Sequence, residues 1–262
     1  MYNVNIFATF LHIIRYISKE FGVTMLQKES QVQNTSLKKI TTKKRVIDYR
    51  DFNIVEKYKI KLVKATSKNQ LKKVYKLRYD SYRAKNNIDP NDQEEFMDEY
   101  DLKPNAQNFL ISLHGEYIGT YRILAFTEAE DVLPAMTVFN EELREIVSLG
   151  RKMIEIGRFA IDKKYEKMGI TFLMPIFRSS IHQALENKAA HVIIAVNKFH
   201  SKLYQRMFRY IQIADEKKYP GVNFSTVLLY VNLKKAIREG KTQQPSLYKY
   251  LFKNTEKSLL LV

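Results

Sequence analysis

Apolar and polar positions divide the chain into a helical start, a polar arm, a mixed domain and a basic tail. In the first 22 residues, apolar side chains recur at three- and four-residue steps, which predicts an amphipathic helix over residues 1–26. The apolar positions are Ile6, Phe10, Ile13, Ile14, Ile17 and Phe21. Such a helix packs on its own domain or on a second copy. Alternatively, residues 1–22 lie on a membrane surface.

Residues 27–52 are polar and mostly basic, which indicates a linker or a loosely held arm. From residue 53 onward, short alternating segments predict strands and longer periodic segments predict helices. The predicted strands are YKIKLVKA, the two halves of NFLISLHGEYIGTYRILAF, KMIEIGRFAID, HVIIAVN and STVLLYVNL. The predicted helices are SKNQLKKVYKLRYDSYRAKN with Ser67 as N-cap, GITFLMPIFRSSIHQALENK after Gly169, and KFHSKLYQRMFRY.

This order of elements predicts one α/β or α+β domain with a mixed sheet over residues 53–233. The two halves of the long segment meet in a tight turn at His114 to Glu116. The tail, residues 234–262, is basic and predicted to be helical in part.

Two charged residues, Glu155 and Arg158, lie inside the predicted strand KMIEIGRFAID. Burying a charge is costly unless the charge is paired or used. Residues three apart in a regular strand face opposite sides, whereas a bulge changes that parity. Gly157 lies between the two and is a natural bulge position. The pair therefore serves opposite faces, or a bulge turns both toward one cleft.

Other charged residues occupy ordered elements in the same way. Arg122 lies in the middle of the apolar strand GTYRILAF, and Arg78 lies on the apolar face of the first predicted helix of the domain. Asp98 and Asp101 are acidic candidates to pair with these arginines and with Arg158. Two interpretations remain: a salt-bridge network that holds the fold, or a pocket that binds a small polar substrate and moves its proton.

Composition limits the chemistry further. The 262 residues contain no cysteine, which excludes disulfides, thiolate nucleophiles and cysteine-ligated metals, and the five histidines lack metal-site spacing. No permanent cofactor or metal is expected. The formal net charge of +16 attracts nucleic acid, anionic lipid or acidic proteins. No helix-turn-helix, zinc-finger or RNP-like motif accompanies it, which argues against nucleic acid. Without a signal peptide or a membrane span, the protein is predicted to be cytoplasmic, or peripheral to the inner membrane surface through its first helix.

The charged motifs together resemble a known family. LRYDSY, DEYD, GTYRIL and IEIGRFAI occur in the order found in N-acyl amino acid synthases, which are related to acyl-homoserine lactone autoinducer synthases within the GNAT-like acyltransferase superfamily. The resemblance covers roughly residues 60–233. The chain has no tryptophan, which the lactone synthases usually carry after the first motif, and its N-terminal arm is longer than theirs. Both departures favour the N-acyl amino acid branch.

The resemblance implies a GNAT-like fold, with a central mixed, mostly antiparallel sheet flanked by helices. It also implies transfer of a long-chain fatty acyl group from an acyl carrier protein thioester to the α-amine of an amino acid. The segment EKMGIT departs from the GNAT pyrophosphate loop, which favours a carrier protein over acyl-CoA. A cationic face would steer the acidic carrier protein toward the enzyme. The alternatives are a lactone-type signal synthase, an acyl-CoA-dependent acetyltransferase, and a basic nucleic-acid-binding protein.

Roles for individual residues follow from the same resemblance. Glu155 is the expected general base, since only about a tenth of an α-amine is neutral at pH 7. Tyr204 is the expected acid for the leaving thiolate, although a tyrosine at this spacing is also an ordinary core residue. The expected substrate-binding residues are Arg78, Asp98, Asp101, Arg122 and Arg158. The residues expected to contact the acyl group or its phosphopantetheine arm are Phe159, Ala160, Ile161, Lys164, Gly169 and Ile170.

Overall fold

The computed structural model describes residues 59–243 and 245–252, without the side chains of residues 170 and 171. The helix predicted over residues 1–26 and the arm over residues 27–52 lie outside the described residues, as do residue 244 and residues 253–262 of the tail. Every strand and helix predicted between residues 59 and 233 is present.

A seven-stranded sheet forms the centre of the described region. Its strands are β1 (Ile60–Lys64), β2 (Ala106–Leu113), β3 (Glu116–Phe126), β4 (Met153–Ile161), β5 (His191–Asn197), β6 (Ile211–Lys218) and β7 (Ser225–Asn232). Their spatial order is β1-β2-β3-β4-β5-β7-β6. All neighbours are antiparallel except β4 and β5, which are parallel. The predicted mixed, mostly antiparallel sheet is confirmed.

Helices cover both faces of this sheet. The described residues form α1 (Lys68–Arg83), α2 (Pro134–Val138), α3 (Asn140–Ser148), α4 (Gly169–Glu186), α5 (Lys198–Phe208), α6 (Leu233–Gln243) and α7 (Pro245–Phe252), with 3₁₀ segments at Glu99–Leu102 and Lys163–Met168. Arg78 of α1 bonds to Asn108, which lies opposite Arg122 in the sheet, whereas the neighbouring Tyr121 bonds to Ser179 of α4. Because adjacent strand residues face opposite sides, α1 and α4 lie on opposite faces.

Local sequence signals explain the first elements of the domain. The Ser67 hydroxyl accepts from the Gln70 N–H at 3.2 Å, and the Ser67 N–H donates to the Gln70 side chain at 3.1 Å. This capping box satisfies donors that the first turn of α1 would otherwise leave unpaired. The turn between β2 and β3 places His114 and Gly115 at φ of 51° and 91°. Two consecutive left-handed residues produce the twist that a two-residue hairpin requires.

Three elements were not predicted. Strand β6 is an edge strand whose second half, ADEKK, carries four charges, so the period-two pattern of a half-buried strand is lost there. Helices α2 and α3 are short, with 5 and 9 residues, and neither has a side-chain N-cap. In the tail, α6 and α7 are helices. Among the described residues, no helix combines the length and the hydropathy needed to cross a bilayer.

Strands β4 and β5 separate soon after they meet. Only the first three residues of β4 pair with the first three residues of β5, and the pairing ends where Glu155 lies opposite Ile193. Both strands continue beyond that pair, to Ile161 and Asn197. The sheet therefore opens between the carboxyl-terminal parts of β4 and β5, and Glu155 lies where the opening begins.

A β-bulge lies in β4 opposite Tyr121. Thr120 pairs with Ala160 and Arg122 pairs with Gly157, so Tyr121 faces both Arg158 and the residue that follows it. Of the two arrangements that the sequence allows, the bulge is present, but its left-handed residue is Arg158, at φ 54°, rather than Gly157. A left-handed conformation costs a non-glycine residue about 1–3 kcal/mol. This conformation directs the Arg158 side chain to Asp98, with which it forms an ion pair.

Candidate functional site

Five charged side chains form one continuous network between α1, the segment Asp98–Asp101 and strands β3 and β4. Arg78 donates through Nη1 to both carboxylate oxygens of Asp101, at 2.9 and 2.8 Å. Arg122 Nη1 lies 3.0 Å from Asp101 Oδ1 and 2.5 Å from Asp98 Oδ1. Arg158 donates to Asp98 Oδ2 through Nε and Nη2, at 3.0 and 2.6 Å. The structure thus brings together all five residues predicted to bind substrate.

This network runs from the interior toward the surface. The side chains of Arg78 and Asp101 are 1% and 0% exposed, whereas those of Arg158 and Asp98 are 11% and 19% exposed. Burial by itself would raise the pKa of Asp98, but the hydrogen bond and charge of Arg122 and those of Arg158 hold that pKa well below its usual range. Three guanidinium groups and two carboxylates leave one positive charge in excess, and Arg158 is the most exposed of its cations.

Glu155 lies apart from this network but is enclosed to the same degree. Its residue surface is 3% exposed, and its Oε2 accepts from the backbone N–H of Ala135 at 3.0 Å. The Tyr219 hydroxyl lies 3.4 Å from Oε1. Burial raises the pKa of Glu155 to about 7, against the opposing effects of the Ala135 N–H, the guanidinium groups of Arg122 and Arg158, and the Tyr219 hydroxyl. A carboxyl group with this pKa can accept and release a proton near neutral pH.

The sheet register relates Glu155 to the arginines. Glu155 pairs with Leu124 and Gly157 pairs with Arg122, so Glu155 and Arg122 share one face of the sheet. The bulge brings Arg158 to Asp98, which also binds Arg122. Of the two alternatives for Glu155 and Arg158, the structure therefore supports the one in which a bulge turns both toward the same side.

The residues predicted to contact the acyl donor follow Glu155 along the chain. Phe159 is the second residue of the bulge, and Ala160 and Ile161 follow it; all three lie in the part of β4 beyond its pairing with β5. Lys164, in the 3₁₀ segment, has a side chain that is 66% exposed and lies 3.7 Å from Glu116. Gly169 begins α4, and the side chain of Ile170 lies outside the described residues.

Tyr204, the predicted acid, belongs to an aromatic cluster between α4 and α5. Its ring centroid lies 5.8 Å from that of Phe177, which also stacks on Phe208. Burial raises the pKa of Tyr204, and the nearby Tyr82 adds to this effect. Tyr204 therefore stays protonated at neutral pH, as a proton donor must, but it is a weaker acid than an exposed tyrosine. No hydrogen bond joins it to Glu155 within the described residues. No group of acidic or histidine side chains there is arranged to hold a metal ion.

Comparison with known proteins identifies the family. The model of a family described as N-acyl amino acid synthase FeeM matches residues 73–232, more than half of the chain. The chain belongs to the FeeM family of N-acyl amino acid synthases. It is therefore an N-acyltransferase, as the resemblance of its motifs implies. No curated protein sequence matches it.

Solved structures give the FeeM-family chain the same fold. FeeM, an N-acyl amino acid synthase from uncultured soil microbes, is 21% identical, with a TM-score of 0.59 over 68% of this chain and 93% of its own. The acyl-homoserine lactone synthase LasI is 19% identical, with a TM-score of 0.51 over 66% of this chain and 89% of its own. TofI, solved with an inhibitor and MTA, is 15% identical, with a TM-score of 0.50 over 66% and 91%. These similarities confirm the predicted GNAT-like fold.

Three groups in this FeeM-family site were not predicted from the sequence. The Tyr219 hydroxyl and the Ala135 N–H contact Glu155, and the Asn108 side chain accepts from Arg78. Asn108 carried a signal, because it is a polar residue in a mostly apolar strand. Ala135 acts through its backbone and Tyr219 lies in the short loop between β6 and β7, so neither carried any signal in its residue type.

Proposed function

We propose that residues 53–233 transfer a long-chain acyl group from a carrier-protein thioester to the α-amine of an amino acid, with Glu155 as general base. One observation carries this proposal: a buried carboxyl group whose pKa is about 7 lies where β4 and β5 separate, on the same face of the sheet as a cationic network. Perturbed carboxyl groups of this kind are typical of catalytic sites.

The chemistry requires one proton acceptor. The amine nitrogen attacks the thioester carbonyl carbon, the carbon–sulfur bond breaks, and the sulfur leaves as a thiolate. Glu155 takes the proton that the amine loses, directly or through one water. Backbone N–H groups of the part of β4 that does not pair with β5, near Phe159 and Ala160, stabilise the negative charge on the carbonyl oxygen. Tyr204 is the candidate proton donor to the thiolate, a role that helps little because a thiolate with pKa near 8.5 leaves adequately without it.

The arginine network supports recognition of the acceptor. Arg78 and Asp101 are almost completely buried, so we assign them to holding Arg122 and Asp98 in place rather than to touching substrate. Arg158 is the cation that a carboxylate can approach, and its guanidinium stacks 4.6 Å from the Phe96 ring. The excess positive charge of the network favours an acceptor with an anionic group, as in an amino acid.

The opening between β4 and β5 supports an extended donor. A phosphopantetheine arm is narrow and flexible, and it fits between strands that have ceased to pair. Its phosphate would lie at the start of α4, where a helix N-terminus favours anions, with Lys163, Lys164 and Lys167 just before it. The Gly169 N–H itself donates to the Glu166 carbonyl, so the N–H groups that follow it would meet the phosphate. Ile161 and the side chains of α4 then face the acyl chain.

A donor and acceptor matrix tests this function. Acyl groups of several lengths are offered on an acyl carrier protein and on CoA, with each amino acid in turn, and free thiol and product mass are measured. We expect long-chain acyl carrier protein with one amino acid or a small set of them to give the highest kcat/KM. A lactone as the product found by mass would favour the lactone-synthase alternative instead. Acetyl-CoA as the preferred donor would favour the acetyltransferase alternative.

The pH dependence should report the titration of Glu155. We expect kcat/KM, expressed per neutral amine, to fall about tenfold for each pH unit below about 7, because protonation removes the base. The groups that face this carboxyl are Ala135 N–H, Tyr100, Arg122, Arg158 and Tyr219. In Tyr219→Phe the carboxylate loses a donor, so its pKa rises and the acid limb moves up by about half to one pH unit.

Tyr117→Phe, in the hairpin strand β3, is the control for this measurement. Since the same amine is used throughout, its own titration is identical in all three profiles and cancels in the comparison. Superimposable acid limbs for the wild type and Tyr219→Phe would show that the hydroxyl does not act on Glu155.

A further inference from the structure

One aromatic side chain has the largest exposed fraction among the large apolar residues that the structure describes. Phe199 is 81% exposed, whereas the other exposed large hydrophobic residues in residues 59–243 and 245–252 range from 41% to 71%. It lies in the first turn of α5, two residues after Asn197, which ends β5 and caps the helix. Burying an aromatic ring is strongly favourable. A ring left outside at this position is therefore available to a partner.

Phe199 lies at the mouth of the opening between β4 and β5. Because these strands are parallel, their carboxyl ends reach the same edge of the sheet, and they have separated before they reach it. The 3₁₀ segment Lys163–Met168 follows β4 there, and α5 follows β5. Lys85 links the two sides: its Nζ lies 2.9 Å from Glu166 of the 3₁₀ segment, and its charge acts on His200 of α5.

The surface around this mouth is rich in lysine. We call it the opening face. It consists of Phe199 and six lysines, which are Lys85, Lys163, Lys164, Lys167, Lys198 and Lys202. Four acidic residues lie among them: Glu116, Asp162, Glu166 and Glu216. Lysines outnumber carboxylates, and the lysines that form ion pairs do so with side chains that are themselves partly exposed. Surface pairs of this kind are weak, so an incoming acidic partner can exchange them.

We propose that the opening face is the docking surface for the acyl carrier protein, with Phe199 as its apolar anchor. This inference rests on the carrier-protein donor of the proposed function. A phosphopantetheine arm is covalently attached to its carrier, so the carrier must sit over the mouth through which the arm enters. Carrier proteins are acidic, which matches the lysines. An aromatic side chain surrounded by polar contacts is the usual composition of an interface hot spot.

The test compares one acyl group on two donors. Dodecanoyl carrier protein presents the docking partner, and dodecanoyl-pantetheine presents the same thioester without it. In Phe199→Ser we expect kcat/KM for the carrier donor to fall at least about tenfold, mainly through KM, and kcat/KM for the pantetheine donor to change less than about twofold. Phe199→Leu should recover most of the loss, and Lys202→Glu should add to it at low salt.

Leu149→Ser is the matched control, since Leu149 is 54% exposed at the end of α3. It should leave both donors unchanged. Equal losses with both donors in Phe199→Ser would mean that Phe199 supports the fold, and no loss with the carrier donor would mean that the carrier docks elsewhere. If Phe199→Ser keeps its kinetics with the carrier donor but no longer binds anionic vesicles, the surface belongs to a membrane. If it instead no longer binds labelled DNA, the surface belongs to nucleic acid. Each of these results would overturn the proposal.

Failure of the broader function gives a different result. If the wild-type protein uses neither donor with any amine, the proposed reaction itself is wrong. If the wild type uses both donors and Phe199→Ser changes kcat/KM equally for the two, the reaction stands and the docking surface alone is rejected.

Discussion

Replacing Glu155 by glutamine is expected to lower kcat for N-acyl transfer by about 10²–10⁴-fold while the protein stays folded. Glutamine has nearly the same volume, and its side-chain oxygen can still accept from the Ala135 N–H, which now donates at 3.0 Å. It cannot accept a proton. The loss should appear as slow thiol release from the acyl donor, with an unchanged circular dichroism spectrum.

Two comparisons make the Glu155 result specific. Glu128→Gln changes a carboxylate that is 73% exposed, and it should keep the wild-type rate. Tyr204→Phe should lower the rate less than about tenfold, because the leaving thiolate needs little help. Glu155→Gln with wild-type turnover would remove Glu155 as the base, and with it the mechanism proposed for this site.

The sequence predicted the fold well wherever the signal was local. Ser67 with Gln70 predicts where α1 begins, and His114 with Gly115 predicts the hairpin turn; both depend on residues within a few positions of each other. Strand β6 shows the opposite case. It is held by pairing with β7 at the edge of the sheet, and its own residues do not carry the pattern of a half-buried strand.

The candidate site was predicted as a set of residues but not as a geometry. Charged residues within apolar strands are detectable because burial makes them costly unless they are paired. Their pairings depend on contacts between distant segments, such as the 60 residues that separate Arg158 from Asp98. The position of the bulge shows this limit: glycine tolerates the left-handed conformation best, yet Arg158 adopts it, where it forms an ion pair with Asp98.

The contacts around Glu155 could not be predicted from the sequence, for a related reason. Tyr219 lies 64 residues from Glu155, and Ala135 contributes only its backbone. The backbone has the same donor at every residue except proline, so residue type cannot reveal which N–H is used. These two donors nevertheless help to set the pKa of the carboxyl, and therefore the pH at which it can act as a base.

The arginine network is expected to affect the stability of the fold as well as its function. Asp101 is central to it, since its carboxylate contacts Arg78 and Arg122 and accepts from the Asp98 N–H at 3.0 Å. Its side chain is 0% exposed, so water cannot replace what the carboxylate provides. Removing one partner from a buried ion pair leaves an uncompensated charge, which costs more than the pair itself contributes.

Asp101→Asn is therefore expected to lower the free energy of unfolding by about 3–5 kcal/mol, because two guanidinium groups lose their shared buried counter-charge. Asp80→Asn is the matched control: Asp80 pairs with Lys76 at 2.8 Å, but both side chains are about half exposed, and its loss should cost at most about 1 kcal/mol. Urea titrations of the full chain, followed by circular dichroism, measure both. Equal costs for the two variants would mean that the network contributes no more than a surface ion pair, and that its arginines are kept in place by other contacts.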